Sequence, residues 1–253
     1  MSIKPLVLIT GASSGIGAAC AARFGKEGFR LALLARRANL LEELQKELGK
    51  NTFIYPIDLC DEKAVLDTFK GIEKDIGPIE VLINNAGGAF GTETADEANP
   101  EDWKKCIDIN INGLLYATRA ALPFMVERKR GHIINLGSIA GSHPYKGGNV
   151  YGGTKAFVHQ FSLNLREDLM GKNIRVSCIE PGLVGGTEFS LTRFRGDENR
   201  VKALYEGANA LTAQDVAETI YFCYSLPPHV NINTIEMMPV TQGANPLAVV
   251  RNT

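Results

Sequence analysis

The pentapeptide YGGTK, Tyr151 to Lys155, sets a phenol and an ammonium four residues apart, with two glycines between them that let backbone come close. Four residues is one helical turn, so both side chains can lie on one helix face. A free phenol, with a pKa near about 10, is ionised in only roughly one molecule in a thousand at neutral pH. An ammonium at about 4 Å is worth about 4 kcal/mol at an effective dielectric of about 20, an upper bound of about three pKa units. The pair can therefore make a tyrosine that exchanges protons near neutrality. Taken alone it can equally be an ordinary helix surface, and other residues have to decide.

A second chemistry lies near the start. The apolar run Leu6–Ile9 leads into TGASSGIG, Thr10 to Gly17, and then into a helical pattern. Strand, glycine-rich turn and helix N-terminus, in that order, can cradle a pyrophosphate. The spacing is GxxxGxG rather than GxGxxG, yet the glycines still permit positive φ and close backbone approach, and Ser13 and Ser14 can donate hydroxyls. An NAD site would carry an acid about 20 residues on to accept from the ribose 2′-hydroxyl. Here the second strand, LALLA, ends in Arg36 and Arg37. Two guanidiniums match a 2′-phosphate, so NADP is the expected dinucleotide.

The elements that must position these groups are legible as alternation. Candidate strands are Leu6–Ile9, Leu31–Leu34, Phe53–Ile57, Val81–Asn84, His132–Leu136, Arg175–Ile179 and Ile235–Met238. Helical patterns lie between them at Ser14–Glu27, Ala38–Lys50, Glu62–Ile76, Glu101–Glu127, Asn149–Met170 and Thr212–Ser225. Strand then helix, repeated, predicts an α/β fold: a doubly wound parallel sheet covered by helices on both faces. The strands are near-continuous apolar runs, as a sheet buried on both sides requires. No linker or low-complexity tract divides the chain, so residues 1–253 are expected to form a single domain. Gly182–Tyr205 breaks the rhythm. Lying after a strand's carboxyl end, it is expected to carry the substrate side of the site over about 182–210.

Composition excludes several functions. The 253 residues are 45% apolar and 22% charged, with a formal net charge of −1. No basic face for nucleic acid is apparent, and the cluster Arg128–Arg130 suits a solvated helix end. The five cysteines (Cys20, Cys60, Cys106, Cys178, Cys223) are scattered, without CxxC pairs. Reduced, mostly buried thiols in a cytoplasmic protein are expected. His132, His159 and His229 lack partners for a metal, so no metal site is expected, and Trp103 is expected to pack at a helix start. The N-terminal run MSIKPLVLIT lacks the apolar region and cleavage site of a signal peptide, and no stretch approaches a membrane span.

With TGASSGIG, NNAG at Asn84–Gly87, Asn110, Ser138 and YGGTK in register, the chain resembles the short-chain dehydrogenases/reductases over residues 6 to about 185. The resemblance implies a one-domain Rossmann fold with strand order 3-2-1-4-5-6-7, a homotetramer, and hydride transfer between NAD(P) and a carbonyl/alcohol pair. Within that family GHIINLGSIAG, GGNVYGGTKAFVHQFSLNLREDL, IEPGLVGGTEFS and HVNINTIEMMPVTQ are similar to the bacterial NADP-dependent 3-hydroxy acid dehydrogenases, which act on serine and allo-threonine.

Carried over residue by residue, the resemblance assigns the pyrophosphate to the turn of Gly11, Ala12, Ser13, Ser14, Gly15, Ile16 and Gly17, and the 2′-phosphate to Arg36 with Arg37. Asp58 and Leu59 would flank the adenine. Asn85, with Ala86 and Gly87, would abut the nicotinamide ribose, and Pro181, Gly182, Val184, Thr187 and Phe189 would close over the nicotinamide. Tyr151 becomes the general acid/base, its pKa lowered by Lys155 and by the oxidised ring. Lys155 also bonds the ribose hydroxyls. Ser138 stabilises the substrate oxygen, and Asn110 kinks its helix and holds a water that relays protons from Lys155.

A substrate carboxylate needs a cation, and Lys146, Arg193, Arg195 and His143 are candidates. The expected activity is interconversion of short 3-hydroxy acids and 3-oxo acids. A 3-ketoacyl or broad carbonyl reductase is the alternative, and a silent NADPH-binding regulator a third. Apolar stripes on Glu101–Glu127 and Asn149–Met170 fit subunit pairing or a broad core.

Overall fold

The computed structural model describes residues 4–244 and Val249; the other positions of the expected 1–253 unit, Met1–Ile3 of the N-terminal run among them, lie outside the described residues. The strands are β1 (Leu6–Thr10), β2 (Arg30–Ala35), β3 (Thr52–Pro56), β4 (Ile79–Asn84), β5 (Gly131–Leu136), β6 (Ile174–Pro181) and β7 (Thr234–Met237). They form one parallel sheet in the order β3-β2-β1-β4-β5-β6-β7. The helices are α1 (Gly15–Lys26), α2 (Ala38–Leu48), α3 (Glu62–Asp75), α4 (Pro100–Ile107), α5 (Gly113–Glu127), α6 (Asn149–Asp168), α7 (Phe189–Arg193), α8 (Glu198–Tyr205) and α9 (Ala213–Ser225).

Alternation along the strands divides the core. Val7, Ile9, Leu31, Leu33, Val81 and Ile83 face Phe24 of α1, Leu41 of α2 and Val216 and Ile220 of α9. Leu6, Leu8, Leu34, Leu82 and Ile133 point the other way, onto Phe69 of α3, Ala121 of α5 and Leu165 of α6. Both faces are apolar because successive strand residues face opposite layers and each layer is helix-covered. The chain reverses its direction of travel across the sheet between β1 and β4, which opens a crevice at their carboxyl ends.

Two elements differ from the sequence patterns, and a third is the kink that the resemblance placed at Asn110. The helix expected over Glu101–Glu127 is interrupted: α4 ends at Ile107, a π-helical turn spans Asp108–Asn112, and α5 begins at Gly113. The irregularity falls at the low-propensity Asn110, Asn112 and Gly113. The aperiodic excursion after β6 contains α7 and α8, five and eight residues long, too short to impose a readable period. The basic cluster Arg128–Arg130 is no simple solvated end. Arg128 donates to both Glu73 carboxylate oxygens, each at 3.1 Å, and to the Ile79 carbonyl, and Arg130 pairs with Glu80 at 2.8 Å. Their aliphatic stems and charges tie the end of α5 to α3 and β4.

The crevice walls are held by one hydroxyl. Thr10, 2% exposed, donates to the Ile83 carbonyl at 3.3 Å and accepts from the Asn85 and Ala86 N–H groups, each at 3.1 Å. Asn85 Nδ2 returns the link to the Thr10 and Gly11 carbonyls at 3.0 and 3.1 Å. Thr10→Val keeps the volume but leaves the Ala86 N–H unpaired, the Asn85 N–H keeping its bond to the Ile83 carbonyl at 3.0 Å, at a cost of about 1–3 kcal/mol. At about 2–4 °C per kcal/mol for a chain of this size, Tm falls by several degrees in calorimetry. An unchanged Tm would show that the turn is held by other means.

Candidate active site

Tyr151 and Lys155 occupy the first two turns of α6, whose seat against the Ile139–Gly141 turn needs the first of the two glycines. A Cβ on Gly152 would lie 2.9 Å from the Ala140 carbonyl oxygen, whereas one on Gly153 would meet nothing within 4 Å. Lys155 is 6% exposed, and its Nζ donates to the Leu136 carbonyl at the end of β5 at 2.7 Å. The ammonium lies 6.0 Å from the centroid of the Tyr151 ring, so the two groups share a face. Burial pulls the lysine down to about 8, while Cys178, Cys106 and Glu180 pull it back up.

Although part of the Tyr151 surface opens onto a pocket, the phenol is enclosed by protein. Burial pushes it well above the ordinary tyrosine range; a hydrogen bond with Ser138 and the charge of Arg193 pull it down, and Tyr145 and Cys106 push it up. The expectation that Lys155 by itself makes the phenol acidic is therefore corrected. At this separation, and turned toward Leu136, the ammonium does not offset the desolvation of the phenolate.

Ser138 follows β5 and precedes the short turn Ile139–Gly141, where its Oγ accepts from the Ala140 N–H at 3.1 Å and donates to the Pro181 carbonyl at 3.5 Å. The same hydroxyl reaches Tyr151. Asn110, 1% exposed, clasps Gly88 from the π-turn: its Oδ1 accepts from the Gly88 N–H at 2.9 Å and its Nδ2 donates to the Gly88 carbonyl at 2.8 Å. Nδ2 also reaches Thr154 Oγ1 at 3.2 Å and Cys106 Sγ at 3.1 Å. The amide is fully committed.

A pocket opens beside these groups. It brings together Ile16, Asn85, Gly87, Ser138, Tyr151, Lys155, Pro181, Gly182, Val184, Thr187 and Phe189 of the expected residues. The others lie off this pocket. Ala12, Gly17 and Leu59 are buried structural positions, and Gly11 (φ +65°) turns so tightly that a Cβ would lie 2.8 Å from Ala86 Cα. Ser13, Ser14 and Gly15 form the rim with Arg37. Ser14 stands at the N-cap of α1 but makes no capping hydrogen bond, in contrast to Asp61, Asn99, Asp197 and Thr212 at their helices. The first N–H groups of α1 thus have no side-chain acceptor, which suits an anion. Exposed Arg36 and Arg37 follow β2, and exposed Asp58 accepts from the Cys60 N–H at 3.0 Å.

The excursion after β6 covers the tyrosine. The Phe189 ring stands 5.5 Å from that of Tyr151. The Arg193 guanidinium sits 5.8 Å from the Tyr151 ring and 5.1 Å from that of Tyr145, and donates to the Gly91 and Gly147 carbonyls at 3.3 and 3.1 Å. The other candidate cations make contacts elsewhere or face solvent. Arg195 pairs with Glu93 at 2.7 Å and Asp102 at 2.9 Å, His143 with Glu236 at 3.0 Å, and Lys146 is exposed.

Sequence reasoning passed over Tyr145, Tyr205 and Glu188. Tyr205 lines the pocket and donates to the Val184 carbonyl at 2.8 Å. An aromatic residue between Ser138 and Tyr151 was a usable signal for Tyr145; nothing local marks Tyr205, which arrives from α8. Also unread was the contact of His159, one turn after Lys155, with buried Glu180 at 2.7 Å.

The family model described as short chain dehydrogenase matches residues 5–197. The chain belongs to the short-chain dehydrogenases. Among members of the family, it is 52% identical over 247 residues to the NADP-dependent 3-hydroxy acid dehydrogenase YdfG of Salmonella typhi, covering 98% of this chain and 100% of that protein. It is 48% identical over 237 residues to the serine 3-dehydrogenase of Rhizobium radiobacter, 94% of each. A solved short-chain dehydrogenase structure, the closed form of serine dehydrogenase complexed with NADP+, superposes with a TM-score of 0.94 at 51% identity, over 98% of this chain and 100% of that one.

The buried lysine carries a pH signature. Its native value, about 8, lies below the 10.5 of a free lysine. The unfolded chain therefore binds more protons between those values, and the contribution of Lys155 to stability rises with pH across that window. Removing the charge with Lys155→Met favours folding most below pH 8. The Tm gap between the variant and the parent shrinks toward pH 10 in scanning fluorimetry, and a gap independent of pH would refute a buried ammonium.

Proposed function

We propose that the protein is an NADP(H)-dependent oxidoreductase that interconverts short 3-hydroxy acids, of the serine, L-allo-threonine or 3-hydroxypropionate kind, with their 3-oxo acids. The observation that carries the substrate class is the place of Arg193. Of the four candidate cations it alone stands beside Tyr151, where it also hydrogen-bonds Tyr145. A guanidinium there is the natural partner of a carboxylate on a substrate whose hydroxyl meets the phenol.

The residues present fit the dinucleotide. The uncapped N-terminus of α1 and the turn from Gly11 to Ile16 would hold the pyrophosphate, Arg36 and Arg37 the 2′-phosphate, and Asp58 and Leu59 the adenine. Asn85, tied to the Thr10 and Gly11 carbonyls, keeps the two halves of the crevice in register. Thr187 and Phe189 close the nicotinamide end, with Lys155 toward the ribose. When bound, NADP(H) supplies the hydride acceptor or donor and, oxidised, a positive charge near the phenol.

The chain's own groups handle the proton. In oxidation Tyr151 Oη removes it from the substrate hydroxyl, and in reduction returns it. The Ser138 hydroxyl holds the substrate oxygen and stabilises charge gathering there. Arg193 lowers the phenol as well as anchoring the acid, so substrate recognition and proton transfer share one cation. Because the Asn110 amide is spent on Gly88, a relay water would rest on backbone carbonyls of the π-turn.

The same reading takes 1–253 as one domain with 182–210 as its substrate segment, and the protein as a cytoplasmic homotetramer. In support of assembly, Leu66, Leu115, Tyr116, Leu122 and Phe161 line a half-buried groove on the outer face of α3, α5 and α6. Among the described residues no helix is long and apolar enough to cross a membrane. Sedimentation velocity of the purified chain is expected to give a tetramer.

Two variants test the chemistry. Tyr151→Phe is expected to bind NADPH normally while kcat falls about 10²–10⁴-fold; parental turnover would favour a silent regulator. Arg193→Met is expected to raise KM for 3-hydroxypropionate about 10–100-fold, the value of a charge-assisted hydrogen bond, while sparing uncharged alcohols. Turnover of acyl thioesters in place of hydroxy acids would make the protein a ketoacyl reductase.

A further inference from the structure

The arginine assigned to the 2′-phosphate already has an anionic partner. Arg37 Nη1 and Nη2 donate to Glu188 Oε1 and Oε2 at 3.0 and 2.7 Å. Its Nε and Nη2 reach Ser13 Oγ at 3.3 and 3.1 Å, and Nη2 reaches Ser14 Oγ at 2.8 Å. Every nitrogen of the guanidinium is engaged, and Ser14 bonds Glu188 as well, closing a ring of polar contacts across the phosphate rim. Neighbouring Arg36 makes no hydrogen bond or ion pair with the other described residues.

Glu188 comes from the far side of the site. It lies between Thr187, whose Cβ would stand 3.4 Å from a Cβ on Gly15, and Phe189, which packs on Tyr151. A carboxylate and a phosphate dianion cannot share one guanidinium edge without like-charge repulsion.

We propose that Glu188 is a specificity-determining residue for the dinucleotide: its carboxylate occupies the Arg37 fork that a ribose 2′-phosphate needs, so NADP(H) binds by displacing it, whereas NAD(H) leaves the pair in place. The proposal rests on the NADP(H) reading above. Its effect is to temper affinity. Arg36 offers a first contact, the incoming phosphate exchanges with Glu188, and on departure the carboxylate takes Arg37 back, which speeds release of the spent cofactor. Release of the product, rather than chemistry, limits many enzymes, so such a competitor has a use. Because the pair is half-exposed, with side chains 43% and 51% accessible, it sets a modest threshold and no block.

The test is equilibrium and stopped-flow binding of NADPH and NADH, by nucleotide fluorescence, to the parent, Glu188→Gln, Glu188→Ala and Arg37→Met. Both Glu188 variants are expected to tighten NADPH about fivefold, chiefly through slower dissociation, and to leave NADH unchanged. Arg37→Met is expected to weaken NADPH by more than about tenfold. NADPH affinity unchanged in the Glu188 variants overturns the proposal, and weaker affinity does so by showing that the carboxylate helps retain the cofactor. If the parent instead binds NADH as well as NADPH and Arg37→Met alters neither, the NADP(H) reading itself fails and this proposal with it.

Discussion

A lysine ammonium withdrawn from water is the constraint around which this site is arranged. Lys155 keeps one strong acceptor, the Leu136 carbonyl, at the last residue of β5. Desolvating a charge is costly unless polar partners replace the lost water. That requirement fixes where α6 lies along the sheet, and its height above β5 is what Gly152 permits by meeting the Ala140 carbonyl closely. Once α6 is seated, Tyr151 one turn earlier is carried to Ser138, and the β5–β6 pairing, Leu136 beside Ile179, brings Pro181 up behind them. The relation of Tyr151 to Lys155 is thus positional before it is electrostatic.

A chain of amides and hydroxyls links other elements through the interior, although Asn84 Oδ1 is left without a partner among the described residues. Asn84 Nδ2 donates to Asn135 Oδ1 at 2.9 Å and to Thr118 Oγ1 at 3.0 Å, and Asn135 Nδ2 to Ser162 Oγ at 2.9 Å. This buried chain crosses from α5 through β4 and β5 to α6. A network with directional partners favours one register of helices over the sheet where apolar contacts alone tolerate sliding.

Much of this was legible in the chain. The seven strands were placed to within about two residues, because a sheet covered on both faces demands unbroken apolar runs. The glycine turn stood out by its place between a strand and a helix, whereas Ser138, Tyr151 and Lys155, each ordinary taken singly, stood out only as a set matching the family motif. Other features were not legible. Arg193, Arg195, His143 and Lys146 are equivalent cations in a string of letters, and only the fold puts Arg193 beside Tyr151 while Arg195 pairs with Glu93 and Asp102. Short helices α7 and α8 carry too few turns to show a period. The state of the Tyr151 phenol depends on burial, which local sequence does not encode. Tyr145, Tyr205 and Glu188 come into play through contacts that join distant segments.

The π-turn at Asp108–Asn112 has a structural corollary. It lodges one residue more than a regular α-helix would need between α4 and α5. Excising a single residue there would restore an uninterrupted rod, and nothing in helix propensity would object. Yet each residue of an α-helix contributes about 100° of azimuth. The shortened rod would swing its amino half around by that amount, carrying Cys106 and Trp103 away from the loop and from the Asn149 they now touch. The surplus residue is an indexing device, and a deletion that looks innocuous by composition would dial the two halves of the helix out of phase.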